Sequence, residues 1–171
     1  MKKVLILFAA MTMGVALSSN AKIFEENHFT INANVGGASG AAGFGLGVAF
    51  QTQIVEASWI TLDWDVLHFQ WSAPFDSPAN SDNLSFKTGV RGYSPSFAND
   101  HLRVYSNLDL GYVLGLAKDW NDDMATSSGF GLTWGAGLQL NKKWSLGYTL
   151  EYANFSGNGG TSHYGTIAFT F

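Results

Sequence analysis

The residues able to do chemistry in this chain are few. It has no cysteine, 4 histidines and 13% charged residues, about half the roughly 25% charge of an ordinary globular domain. Without cysteine there is no disulfide, thiolate metal site, thiol nucleophile or lipid-attachment thiol. The long ionisable side chains that alternate with apolar neighbours are Lys87, Arg91, Arg103, Asp109 and Glu151, with Tyr105 and Tyr164 in the same pattern. Their chemistry is ion pairing: groups of both signs, placed on one face of several strands, can meet across an enclosed interior. Glu151 with Arg91 is the expected pair, and a proton or ion path along the same groups is the sharper alternative.

A hydroxyl nucleophile needs a base within hydrogen-bond reach and an acid to orient it. Ser162 and His163 offer such a couple, with Glu151 on the neighbouring strand, but alternation turns Glu151 inward. His28, His68, His101 and His163 are scattered and read as interfacial residues at strand ends. No His-x-x-Glu spacing suggests a metal, and Gly36-Gly37 and Gly43-Phe44-Gly45 lack the following helix of a phosphate loop. No catalytic residue, metal or cofactor is assigned, and the chain is not expected to be an enzyme. A net charge of −4 leaves no basic surface for nucleic acid. Two segments offer contact residues for a surface partner: Phe75 between two prolines, and Trp120 within the acidic run Lys118–Asp123.

These groups need elements to position them. Lys2 and Lys3, an apolar run from Val4 to Leu17, and Ser18-Ser19-Asn20-Ala21 read as a signal peptide over residues 1–21, cleaved after Ala21. The apolar run is shorter than the roughly 20 residues a spanning helix needs. Residues 22–28 form a short N-terminal segment, and residues 29–171 a single domain. Through that domain apolar residues alternate with small or polar ones, the period of strands with two unlike faces. Phe130, Leu132, Trp134, Ala136, Leu138 and Leu140 oppose Gly131, Thr133, Gly135, Gly137 and Gln139; Trp144, Leu146, Tyr148, Leu150 and Tyr152 oppose Ser145, Gly147, Thr149 and Glu151. Eight such segments are found. In the third, Ile60, Leu62, Trp64 and Val66 change phase to Leu67, Phe69 and Trp71, so a bulge is expected near Val66.

A face carrying lysine, arginine, aspartate and glutamate cannot form a dry apolar core, because each unpaired buried charge costs several kcal/mol. The apolar faces therefore need an apolar medium: either each other, in a β-sandwich, or lipid, around a barrel. Aromatic residues near strand ends, at Trp71, Trp144, Tyr152, Phe155 and Phe171, favour lipid. The fold class is all-β, an eight-stranded antiparallel transmembrane up-and-down β-barrel.

The last segment, Tyr164-Gly165-Thr166-Ile167-Ala168-Phe169-Thr170-Phe171, ends the chain within a strand on an aromatic residue. With the alternation over residues 29–171, it resembles the small eight-stranded outer-membrane barrels of Gram-negative bacteria, the OmpA transmembrane domain and OmpX/Ail families. The resemblance implies that Tyr164, Ile167, Phe169 and Phe171 form the signal read by the barrel-assembly machinery during insertion. It implies location in the bacterial outer membrane, with outer-membrane lipid and lipopolysaccharide as surroundings, and a monomer. Long connections Ser72–Asn83, Ala117–Ser128 and Ser156–Ser162 then face outward, and Asn141-Lys142 makes a tight periplasmic turn. The connection over Thr52–Ala57 is left open. The expected function is structural, adhesive or surface-interacting, with an unidentified surface ligand and a lumen filled by polar side chains. The alternatives are a narrow channel for small solutes and a lipid A-modifying enzyme.

Overall fold

The computed structural model describes residues 26–38, 41–75, 81–118, 124–155 and 158–171. The expected signal peptide and its cleavage site lie outside them. Eight antiparallel strands form one closed barrel in chain order: β1 Asn27–Ala38, β2 Ala41–Ala57, β3 Ile60–Pro74, β4 Ser81–Tyr93, β5 Leu102–Lys118, β6 Met124–Leu140, β7 Trp144–Phe155 and β8 Asn158–Thr170. Closure runs from Thr30↔Thr170 to Ala38↔Ser162, so neither β1 nor β8 is left as an edge.

Period-two alternation sends each strand's apolar set outward and its polar set inward. Leu138 is 45% exposed and Leu146 68%, whereas Asp65, Asp109 and Gln139 are each 0% exposed. This is the inverse of a water-soluble domain, and it excludes a sandwich in which Leu138 and Leu146 meet in a dry middle.

The phase change in β3 is a bulge at Val66. Against β2, Phe50 pairs Leu67 while Gln51 pairs Asp65, leaving Val66 unmatched; against β4, Asp65 pairs Gly89 and His68 pairs Lys87. The extra residue restores parity, so Asp63 and Asp65 below it and His68 and Gln70 above it all face inward. A second irregularity lies between Gln53 and Val55, and residues 52–57 belong to β2 rather than to a connection.

The strands run further than hydropathy indicated. At least half of each expected outward connection, Ser72–Asn83, Ala117–Ser128 and Ser156–Ser162, is strand, with Ala117 paired to Ala125 and Lys118 to Met124. Hydropathy ends where hydrocarbon ends, but backbone pairing needs no apolar side chain and continues past it. The remaining connections at the two ends therefore differ less in length than expected. At the end bearing the last residue, Ala98, Asn99, Asp100, Asn141 and Lys142 adopt left-handed φ in tight turns. There His101 Nδ1 lies 2.7 Å from Asn141 Oδ1, and the Asn141 N–H donates to the His101 carbonyl at 2.7 Å, joining two turns. Phe29, Trp144, Phe169 and Phe171 form an aromatic rim along the β7, β8 and β1 side of this end.

Candidate functional site

The inward side chains form three connected groups across the lumen. In the half away from the last residue, β4 and β7 are bridged by Lys87, whose Nζ donates to Glu151 Oε1 and, at 2.6 Å, to Thr133 Oγ1. Gln70 Nε2 donates to the other carboxylate oxygen at 3.1 Å. The lysine is 2% exposed. The expected Glu151–Arg91 pair does not form. Arg91 lies four positions further along β4 than Lys87, about 13 Å at strand rise, which takes it out of reach of Glu151.

In the middle, Arg91 Nη2 lies 3.8 Å from Asp65 Oδ2, and Gln51 Nε2 donates to Asp65 Oδ1. Asn107 Nδ2 donates to Asp109 Oδ2 at 2.7 Å, and His68 Nδ1 stands 3.5 Å from the same oxygen. On its other side His68 Nε2 is 3.2 Å from Asn32 Nδ2; the chain continues through Asn34, Thr166 and Thr149. It thus crosses β5, β3, β1, β8 and β7, with the His68–Asp109 step a close contact rather than a hydrogen bond. A polar cavity of about 20 Å³, lined in part by His68, Arg91, Tyr105 and Thr133, remains between these groups, enough for about one water molecule.

Towards the end with the last residue, arginine and tyrosine interleave. The Arg103 guanidinium lies 3.6 Å from the Tyr93 ring centre, the Tyr93 and Tyr105 rings are 6.4 Å apart, and Arg91 lies 5.4 Å from Tyr105. Arg103 Nε also donates to Gln139 Oε1 at 2.6 Å. Such stacking adds cation–π attraction to the two guanidiniums, one of which, Arg91, also faces Asp65.

Glycine makes room for these side chains. A Cβ on Gly89 would come within 2.6 Å of Asp109 Cα, and one on Gly147 would enter the Tyr105 hydroxyl and the Ala136 carbonyl. Inward glycines are thus holes that long side chains of neighbouring strands fill.

All five ionic groups singled out from sequence, Lys87, Arg91, Arg103, Asp109 and Glu151, lie on the inward face. Sequence reasoning missed Asp63, Asp65, His68, Gln51 and Gln70. The signal was present: alternation in β2 sets Gln51 opposite Phe50, and the phase change at Val66 places Asp63, Asp65, His68 and Gln70 of β3 opposite the Leu and Trp set. His68, expected at an interface, is buried. Phe75 is 55% exposed but stacks on Phe44, centroids 5.5 Å apart, which in turn meets Trp71 edge-on at 5.1 Å. Trp120 and most of its acidic segment lie outside the described residues. In β8, Ile167, Phe169 and Phe171 follow outward parity, while Tyr164 is buried inward; the Phe171 N–H donates to the Phe29 carbonyl at 2.8 Å.

Ser162 pairs with Glu151 on the inward side of the sheet, whereas His163 leaves on the outward face. The three do not form a nucleophile–base–acid set. Among the described residues no three His, Asp or Glu side chains converge to hold a metal.

No protein-family model matches the chain, and no curated protein matches it significantly. Solved structures do. Neisserial surface protein A aligns over 88% of this chain and 97% of its own, with TM-score 0.64 and 13% identity. The outer membrane enzyme PagL aligns over 83% and 98%, with TM-score 0.61 and 19% identity. Ail, the attachment invasion locus protein of Yersinia pestis, aligns over 88% and 100%, with TM-score 0.51 and 15% identity. Identities this low carry architecture alone, and that architecture agrees with the closed ring, inverted faces and aromatic rim: this chain has the fold of the small eight-stranded outer-membrane β-barrels.

Proposed function

We propose that this protein is exported to the bacterial outer membrane and spans it as a plugged barrel. In this reading it has a non-enzymatic structural or surface-interaction role, with the end opposite Phe171 facing outside. The observation that supports a plugged barrel is the bridged lumen: Lys87 and Glu151 span it in one half and the Arg91–Tyr105–Tyr93–Arg103 stack fills the other. An eight-stranded barrel has an interior that side chains can just fill, and the cavity among His68, Arg91, Tyr105 and Thr133 has room for about one water. Phe171, Phe169 and Ile167, outward on the closing strand, are the proposed signal for the assembly machinery, with Tyr164 inward beside them.

Planar-bilayer recording tests the plug. The purified barrel is expected to give no conductance steps above background, and regular steps would favour the narrow-channel alternative. Ser162 and His163 on opposite faces argue against lipid A chemistry by that couple. Mass spectrometry of lipid A from cells with and without the protein is expected to give the same acyl pattern; a changed pattern would overturn the non-enzymatic reading.

A further inference from the structure

Two polar clusters on the outward face are closed on the barrel itself. Trp64 Nε1 donates to Thr88 Oγ1 at 2.9 Å, and that hydroxyl donates to the Asp65 carbonyl at the bulge, at 2.8 Å. Ser106 donates to the Gly135 carbonyl at 3.0 Å. Tyr148 and His163 are different. On adjacent strands β7 and β8, the tyrosine hydroxyl bonds His163 Nδ1, with ring centres 6.0 Å apart, and Trp134 meets Tyr148 edge-on at 6.5 Å. If the hydroxyl donates, the neutral imidazole carries its hydrogen on Nε2, and no described residue accepts it. In the other tautomer the tyrosine O–H is the unspent donor. Either way one donor faces the surroundings, at a cost of several kcal/mol if only hydrocarbon meets it.

Position along β8 says what does meet it. Eight positions separate His163 from the rim residue Phe171, about 26 Å of strand, or about 20 Å of height at a tilt near 40°. In an apolar band about 25 Å tall, that is close to the far edge, at the depth of acyl linkages. Beside the pair the surface is notched. Gly165, opposite Tyr148 on one side and Val35 on the other, has no side chain, and an added Cβ would meet only the Val35 carbonyl, at 3.7 Å. Val35 and Ile167, 61% and 49% exposed, wall the notch.

We propose that this groove seats one acyl chain of lipid A, with the carbonyl of its acyl linkage accepting the hydrogen bond that the Tyr148–His163 pair has to give. Among the described residues no lysine or arginine bonds the pair, so a carbonyl suits it better than a phosphate. The far edge is the outer leaflet in the orientation proposed above, which points to lipid A rather than to an inner-leaflet phospholipid. The inference rests on that orientation and not on a surface-interaction role.

Native mass spectrometry of the purified protein in micelles doped with lipid A tests it, after a heat-dependent gel shift has shown each variant folded. Wild type is expected to retain one lipid A. His163→Phe, which keeps the ring and removes the donor, should cut the retained fraction roughly fivefold or more. Gly165→Val, entering open space, should do the same by filling the groove, and it keeps the test decisive if the histidine variant does not fold. Retention at the wild-type level in either folded variant overturns the site, and displacement by an equal concentration of phosphatidylethanolamine overturns lipid A as its occupant. Cell fractionation reads the outer-membrane placement separately.

Discussion

Replacing Lys87 by methionine conserves volume and removes one charge from the lumen. The lysine side chain is fully buried and is the cationic partner of Glu151, whose remaining described donor is Gln70 at 3.1 Å. Leaving a buried carboxylate without its cation costs about 3–5 kcal/mol. Thr133 Oγ1, which accepts from Lys87 at 2.6 Å, also loses its donor. Lys87→Met is therefore expected to destabilise the folded barrel by about 3–5 kcal/mol. The double variant Lys87→Met/Glu151→Gln removes both charges and keeps an acceptor for Gln70, so its cost should fall to about 1–2 kcal/mol, less than that of the single lysine variant. Equilibrium urea unfolding in phospholipid vesicles, followed by tryptophan fluorescence and by heat-dependent gel mobility, reads both quantities. Because the pair is desolvated, added salt should change little. A cost under about 1 kcal/mol with additive single effects would mean that water screens the pair, as at a protein surface. The plugged-lumen reasoning would then fail along with the prediction.

Gly89→Ala should prevent stable folding or cost more than about 2 kcal/mol, since its Cβ meets backbone of β5; the same unfolding assay checks this. Thr88→Val should cost about 1–2 kcal/mol by leaving the Trp64 N–H without an acceptor on the outward face, again read by urea unfolding, with a change in tryptophan emission. Ala98→Gly should stabilise by up to about 1 kcal/mol, because alanine at φ 52 holds a left-handed conformation that glycine adopts without penalty. A loss of stability would show that the Ala98 methyl group contributes contacts outweighing that relief.

The eight strands, their antiparallel order and the direction of each face were legible in sequence, because alternation with period two encodes which side chains meet hydrocarbon. Even the bulge at Val66 showed as a phase change from Trp64 to Leu67. The inward positions of Lys87, Arg91, Arg103, Asp109 and Glu151 followed from the same parity. Strand ends beyond the apolar band were not legible: Met124 to Ser128 continue β6 by backbone hydrogen bonds that leave no mark on hydropathy.

Parity fixes a face but not a height, and height decides partners. Strand tilt and stagger put Glu151 level with Lys87 instead of Arg91, and left Arg91 diagonal to Asp65 on the neighbouring strand β3. His68 joins Asp109 and Asn32 because three distant strands converge on one narrow axis. On the outside, Tyr148 and His163 lie fifteen residues apart in sequence and meet only because β7 and β8 pair in one register. Local sequence thus determined which side of the wall each residue occupies. Closure of the wall, with its shear, decided which of them touch.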